Sequence, residues 1–188
     1  MSGETRLWLI RHAPTNGPRG VIHRSDAPAN LTDSARFTAL RARLPQGAAV
    51  FASPARRTLD TAQALGLAPV HEPLFSEQNF GDWFGRRHED LACELGDAYQ
   101  AFWRAAADNR PPGGESFSDQ IGRVRNGLSR LPAGDVILVV HSGTIRALLA
   151  IALDAAPDSM LRFVIDPLSL TRIDRLDQNW RLICVNCP

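Results

Sequence analysis

With 188 residues, 44% of them hydrophobic, and 21 basic against 20 acidic side chains, the chain suits one domain with a sizeable core and offers no polyanion-binding surface of the nucleic-acid kind. Every basic residue is an arginine. The absence of lysine excludes a Walker A phosphate loop, Schiff-base chemistry and Ser-Lys dyads.

In chain order, the apolar run Leu7, Trp8, Leu9 and Ile10 has no helical period and predicts a buried strand over 6 to 11, which Pro14 and Gly17 prevent from continuing. Thr32 is the expected N-cap of a first helix carrying Phe37, Leu40 and Leu44 on one face, with Pro45 and Gly47 ending it. A strand over 48 to 52 follows. The next helix is expected from Pro54 to Leu65, with Ser53 as N-cap and Pro54 at the first position, where its missing N–H costs nothing. Leu91, Leu95, Ala98, Phe102 and Ala105 fall at helical spacing and predict one long amphipathic helix. After the loop DNRPPGGES, Phe117, Ile121, Val124, Leu128 and Leu131 predict another helix, entered through Ser116 with Asp119 completing a capping-box pair. These two helices are expected to sit beside the sheet as a cap. A strand over 135 to 140 leads through HSGT into a helix with Ile145, Leu148, Leu149 and Ala152, and strands follow near 168 to 174 and 180 to 185. The alternation predicts an α/β fold of three α/β/α layers, with a mostly parallel central sheet and a small helical cap.

Three times an apolar strand ends in polar residues before a helix or loop: LWLIRH, AVFASPARR and VILVVH. Parallel neighbours bring Arg11, His12, the residues after Ser53 and His141 to one sheet edge, where open α/β sheets bind ligands. Arg57 falls in the first turn of one helix, and Ser142 and Gly143 open another, so free N–H groups and positive dipole ends face the same place. Guanidiniums, imidazoles and helix N-termini together suit a phosphoryl group. Cys93 stands alone, and the CxxC of Cys184 and Cys187 lacks a second ligand pair, so packing is expected there and no metal. MSGETR lacks a hydrophobic signal segment and no run approaches the roughly 18 apolar residues of a membrane helix, so the expectation is a cytoplasmic chain without a membrane partner.

RHAPTN, the pattern S-P-x-x-R-x-x-x-T-A from Ser53 to Ala62, SEQNFGDW and VVHSGTIR resemble, in that order, the histidine phosphatase superfamily, the phosphoglycerate mutase-like proteins. The resemblance implies one such domain over 1 to 188 with a cap inserted at about 77 to 131. It implies His12 as a phosphorylated nucleophile, Arg11, Arg57 and His141 as phosphate ligands, and Glu77 as general acid, with no cofactor and no metal. Arg57, not Arg56, matches, because it precedes the Thr61-Ala62 pair by four residues. Thr15 and Asn16 are similar to phosphate-loop contacts, and they equally suit turn formers; Ser142 and Gly143 are further candidates for substrate contact. Ala13 and Ser142 stand where the family usually has glycine. His23, His71 and His88 have no partner pattern and are expected at the surface.

A neutral imidazole can attack phosphorus, and nearby Arg11 and Arg57 disfavour its protonation. The presence of a cap and the segment EQNFGDWFGRRHEDL is similar to the alpha-ribazole phosphatase branch. This implies a small-molecule phosphomonoester as partner, with a sugar-phosphate phosphatase, a phosphoglycerate mutase and a non-catalytic phospho-ligand module as alternatives. Phe80, Trp83 and Phe84 are candidates to receive a flat base, and they equally suit a cap core.

Overall fold

The computed structural model describes residues 3–177 and 179–188. Six strands form one sheet in the order β3-β2-β4-β1-β5-β6: β1 (Thr5–Arg11), β2 (Ala49–Ala52), β3 (Val70–His71), β4 (Gly134–Val140), β5 (Leu170–Leu176) and β6 (Asn179–Cys187). The first four in that order pair in parallel, and β5 and β6 add an antiparallel edge. The mostly parallel α/β sheet with its added edge follows the sequence expectation, which does not include β3. Only two residues long and exposed, β3 has no apolar run by which a sequence would reveal it.

Side chains alternate across a strand, so a strand covered on both faces must be apolar at every position. β4 shows the consequence. Val136, Leu138 and Val140 join Leu7 and Leu9 in one core, while Ile137 and Val139 join Ile10 in the other. On the second face lie α1 (Ser34–Arg43), through Phe37 and Leu40, and α2 (Arg56–Ala64), through Ala62. The N-cap of α1 is Asp33, whose carboxylate accepts from the Arg36 N–H at 3.1 Å, so the helix starts one residue later than Thr32 would have placed it.

The two helical runs expected to cap the sheet part company. The first is broken into α3 (His88–Leu95) and α4 (Asp97–Arg104) at Gly96, whose φ of 51° and ψ of −122° only glycine adopts readily. With Ile22 and Trp83 of a preceding 3-10 turn, Leu91, Tyr99 and Phe102 from these helices make a separate small core. The second run forms α5 (Phe117–Leu128), entered through the capping box of Ser116 and Asp119. Its Phe117, Val124 and Leu128 belong to the first core of the sheet, packed beside α6 (Ser142–Leu153). A last short helix, α7 (Pro157–Met160), leads toward β5. Among the described residues, no helix is long and apolar enough to cross a membrane.

The break at Gly96 gives a prediction of sign. In a continuous helix Gly96→Ala would stabilise by about 1 kcal/mol. At this positive φ it destabilises by about 1–3 kcal/mol, which lowers the melting temperature by several degrees in thermal unfolding followed by circular dichroism.

Candidate functional site

β1, β2 and β4 run in parallel, so their C-terminal ends share one edge. The ladder continues a residue beyond the strands, with the His12 N–H donating to Val140 O at 3.0 Å and the Ser53 N–H to Val139 O at 3.2 Å. His12, Ser53 and His141 are thereby fixed at adjacent strand ends. Ser53 does not cap α2, which starts at Arg56 after Ala55. Its hydroxyl instead accepts from His141 Nε2 at 2.8 Å and from the Ala55 N–H at 3.3 Å. The expected start at Pro54 fails because the chain between Ser53 and Ala55 turns to serve the histidine.

Arg57, in the first turn of α2, is only 6% exposed and lies between the two rings. Its Nε donates to His12 Nε2 at 3.2 Å and its Nη2 to His141 Nδ1 at 3.3 Å, while Nη1 donates to Arg24 O at 2.9 Å. A guanidinium has donors only, so both nitrogens that face it carry lone pairs. The protons then sit on the other nitrogens. His12 Nδ1 donates to Ala13 O at 2.6 Å, and His141 Nε2 donates to Ser53. Burial holds both imidazoles well below their usual pKa; for His12 the neighbouring His141 and Arg57 add to it, and for His141 Arg57 and Arg11 do. Both rings are therefore neutral, and His12 turns an unprotonated Nε2 toward the guanidinium. The Thr61 hydroxyl secures the next residue, accepting the Ala13 N–H at 2.9 Å and donating to Arg57 O at 2.7 Å. This ties the loop after His12 to α2 and gives the threonine of the T-A pair a physical role.

Arg11 donates through Nη1 to Ile165 O at 2.5 Å, and its Nε is buried without a partner among the described residues. Burial lowers its pKa and that of Arg57, with Glu77 opposing in both, yet arginines so placed stay charged. The Glu77 carboxylate accepts from the Gln78 N–H at 3.1 Å, the Gly143 N–H at 3.3 Å and Gln120 Nε2 at 3.3 Å. A Cβ on Gly143 would overlap Glu77 Oε1, so any larger residue there would push that carboxylate from its place. Behind Glu77, Arg123 donates to Leu74 O, Ser76 O and Glu77 O and pairs with Glu115 at 2.6 Å, pinning the backbone of this segment.

Arg11, His12, Thr15, Arg57, Glu77 and Ser142 line one cavity of about 260 Å³. His141 reaches it through Arg57, and Gly143 through Glu77. Asn16 does not line it; the residue is exposed and its N–H donates to Pro28 O at 2.8 Å. His23 and His88, expected at the surface, line the far wall with Val21, Ile22, Phe80 and Phe84. The Nδ1 of His88 is hydrogen-bonded to the Tyr99 hydroxyl at 2.6 Å. Trp83 belongs to the small core at 5% exposure, so the three aromatics divide between wall and packing. Sequence reasoning also missed Ser53 as a histidine partner, Gln120, and Arg146, whose guanidinium holds Phe163 O close to Arg11 and Glu77. Only the position of Arg146 one turn into the helix after HSG signalled it. Cys93, Cys184 and Cys187 are free thiols, and among the described residues no group of His, Cys, Asp and Glu is arranged to hold a metal ion.

The model of the histidine phosphatase superfamily (branch 1) matches residues 7–188. A bifunctional protein of Mycobacterium tuberculosis (strain ATCC 25618 / H37Rv) is 34% identical over 183 residues; the match covers 89% of this chain, which spans about half (49%) of that relative. The adenosylcobalamin/alpha-ribazole phosphatase of Escherichia coli (strain K12) is 31% identical over 181 residues, covering 90% of this chain and 89% of the relative. The native structure of a mycobacterial glucosyl-3-phosphoglycerate phosphatase superposes with a TM-score of 0.82 at 26% identity, covering 98% of this chain and 100% of that one. With its motifs gathered at one sheet edge and a family match that runs nearly from end to end, the chain belongs to the histidine phosphatase superfamily.

Proposed function

We propose that the protein is a phosphomonoesterase that works through a phosphohistidine at His12, on a small-molecule phosphate such as alpha-ribazole 5′-phosphate. The observation that carries this reading is the Arg57 guanidinium donating to both His12 and His141, which leaves His12 Nε2 unprotonated beside two buried cations.

The reaction divides into two displacements. In the first, the His12 Nε2 lone pair forms a bond to phosphorus while the bond to the leaving oxygen breaks, and Glu77 supplies the proton that oxygen needs. In the second, water attacks the phosphohistidine, Glu77 takes its proton, the P–N bond breaks, and inorganic phosphate leaves. Charge gathers on the nonbridging oxygens in the loose transition state, so Arg11, Arg57 and the N–H groups at the start of α6 act by position and electrostatics. Neutral His141 donates no charge of its own. Ser53 and Arg57 fix its ring against the edge of His12, with centroids 5.1 Å apart. All groups in this scheme come from the chain, so the activity is expected to persist in EDTA. The far wall of Phe80, Phe84, His23 and His88 suits a flat, ring-bearing leaving group and supports the nucleoside-like ester over a bare sugar.

Quenching turnover of a 32P-labelled ester in base should preserve protein-bound label, and quenching in acid should release it; His12→Ala should carry none. Acid-stable label, or label on the variant, would overturn the mechanism.

Alpha-ribazole 5′-phosphate should exceed 3-phosphoglycerate in kcat/KM for hydrolysis. Phe84→Ala should narrow that ratio by about three- to tenfold, the worth of one aromatic contact. Rapid isomerisation of phosphoglycerate would assign the site to a mutase instead.

Stability should fall with acid. His12 and His141 bind fewer protons folded than unfolded once the pH drops below the ordinary imidazole value of 6.5, so the unfolded state gains about 1.4 kcal/mol per pH unit from each ring there, and nothing above it. Melting temperatures between pH 8 and 5 should decline below pH 6.5, and His12→Asn should have the shallower slope.

A further inference from the structure

Gln120 lies one turn into α5 with no exposed surface. A buried primary amide is costly unless its hydrogens and its oxygen all find partners. Its nitrogen has three oxygens in reach: Ser76 O at 3.3 Å, Glu77 Oε1 at 3.3 Å and Thr144 Oγ1 at 3.4 Å. Among the described residues its Oε1 is buried with none.

Two of those oxygens do not depend on the amide. Ser76 O accepts from Arg123 Nη1 at 3.2 Å and from the Thr144 hydroxyl at 3.1 Å, and that hydroxyl also meets Phe75 O at 3.1 Å. As a strut between α5 and the loop, Gln120 is therefore redundant, and it leaves its own carbonyl unmet. Lining no part of the cavity around His12, it has no direct route to a substrate. What remains is the contact with Glu77.

We infer that Gln120 is a positioning residue for Glu77, setting the plane of its carboxyl group so that the proton lies on the line to the leaving oxygen. The inference rests on the reading of Glu77 as the general acid. The backbone N–H groups of Gln78 and Gly143 hold one carboxylate oxygen each, and Gln120 is the side chain that adds a second donor on Oε1. The orphaned carbonyl fits the same account. A carboxylate only accepts hydrogen bonds, whereas a carboxylic acid also donates one, and Glu77 alternates between the two in every turnover. An amide next to it carries a partner for each state. The apolar residue that packing alone would favour at this buried helix position carries neither.

The test compares kcat/KM for ribose 5-phosphate, a poor leaving group, with that for 4-nitrophenyl phosphate, a good one, in four proteins: wild type, Gln120→Met, Glu77→Gln and the double variant. Gln120→Met should lose about tenfold more on the ribose ester than on the aryl ester, a part of what general-acid catalysis contributes. In the Glu77→Gln background the same change should cost less than about twofold, because the two act as one unit. The melting temperature of Gln120→Met should equal or exceed that of wild type, since the orphaned oxygen is gone. Equal losses on both esters, or a full further loss in the double variant, would overturn the inference; should Gln120→Met not fold, Gln120→Leu is held to the same outcomes. If Glu77→Gln itself loses both esters equally, the acid role fails and the inference with it. A selective Glu77→Gln beside an unselective Gln120→Met removes the inference alone.

Discussion

One buried cation between two imidazoles is the constraint on which the site depends. Arg57 has no acceptor, so each ring nitrogen facing it must be unprotonated, and both remaining N–H groups must find oxygen elsewhere. They do so on opposite sides, at the Ala13 carbonyl and at the Ser53 hydroxyl. Removing the guanidinium would free both rings to change tautomer, and removing Ser53 would free one. Chemistry and packing are therefore the same set of hydrogen bonds here. Arg11, Arg57 and Glu77 line the same cavity, two buried cations to one carboxyl group, so the cavity favours an anionic occupant.

The sheet supplies that precision. Because β4 lies between β1 and β2, its neighbours end at the same edge and their last residues are held by its carbonyls. Loops alone could not fix nitrogen positions to this degree, since they lack a ladder to set their register. The glycine at 143 and the clamp of Arg123 do for Glu77 what the ladder does for the histidines. Glu77 sits on a loop, so it has to be tied down from both sides.

The apolar strands and the sheet edge were legible in the sequence because each follows from local rules. An apolar run that stops at Arg11-His12 or at His141 shows its register directly, whereas the choice of Arg57 over Arg56 came from the family pattern around Thr61-Ala62; Arg56 is exposed and faces Asp60. What escaped were relations among residues distant in sequence. Ser53 looks like an N-cap until the ring of His141 is placed against it, and the run from Leu91 to Ala105 keeps perfect helical spacing across a glycine that breaks it. His23 and His88 carry no pattern of their own. They reach the cavity because Ile22 docks into the small core with Leu91, a packing that period and composition do not encode.

The central place of β4 has a consequence for how the molecule comes into being. β1 pairs with a strand about 130 residues later in the chain, as in Leu7 opposite Val136, and β2 meets the same late partner. Until residues 134–140 have left the ribosome, the first two strands share no neighbour and the edge that holds His12 does not exist. Closing such long loops comes before any contact rewards it, so the pairing that builds this edge is slow for the chain's size. A truncated product ending before β4 would carry Arg11, His12 and Arg57 without the edge that brings them together.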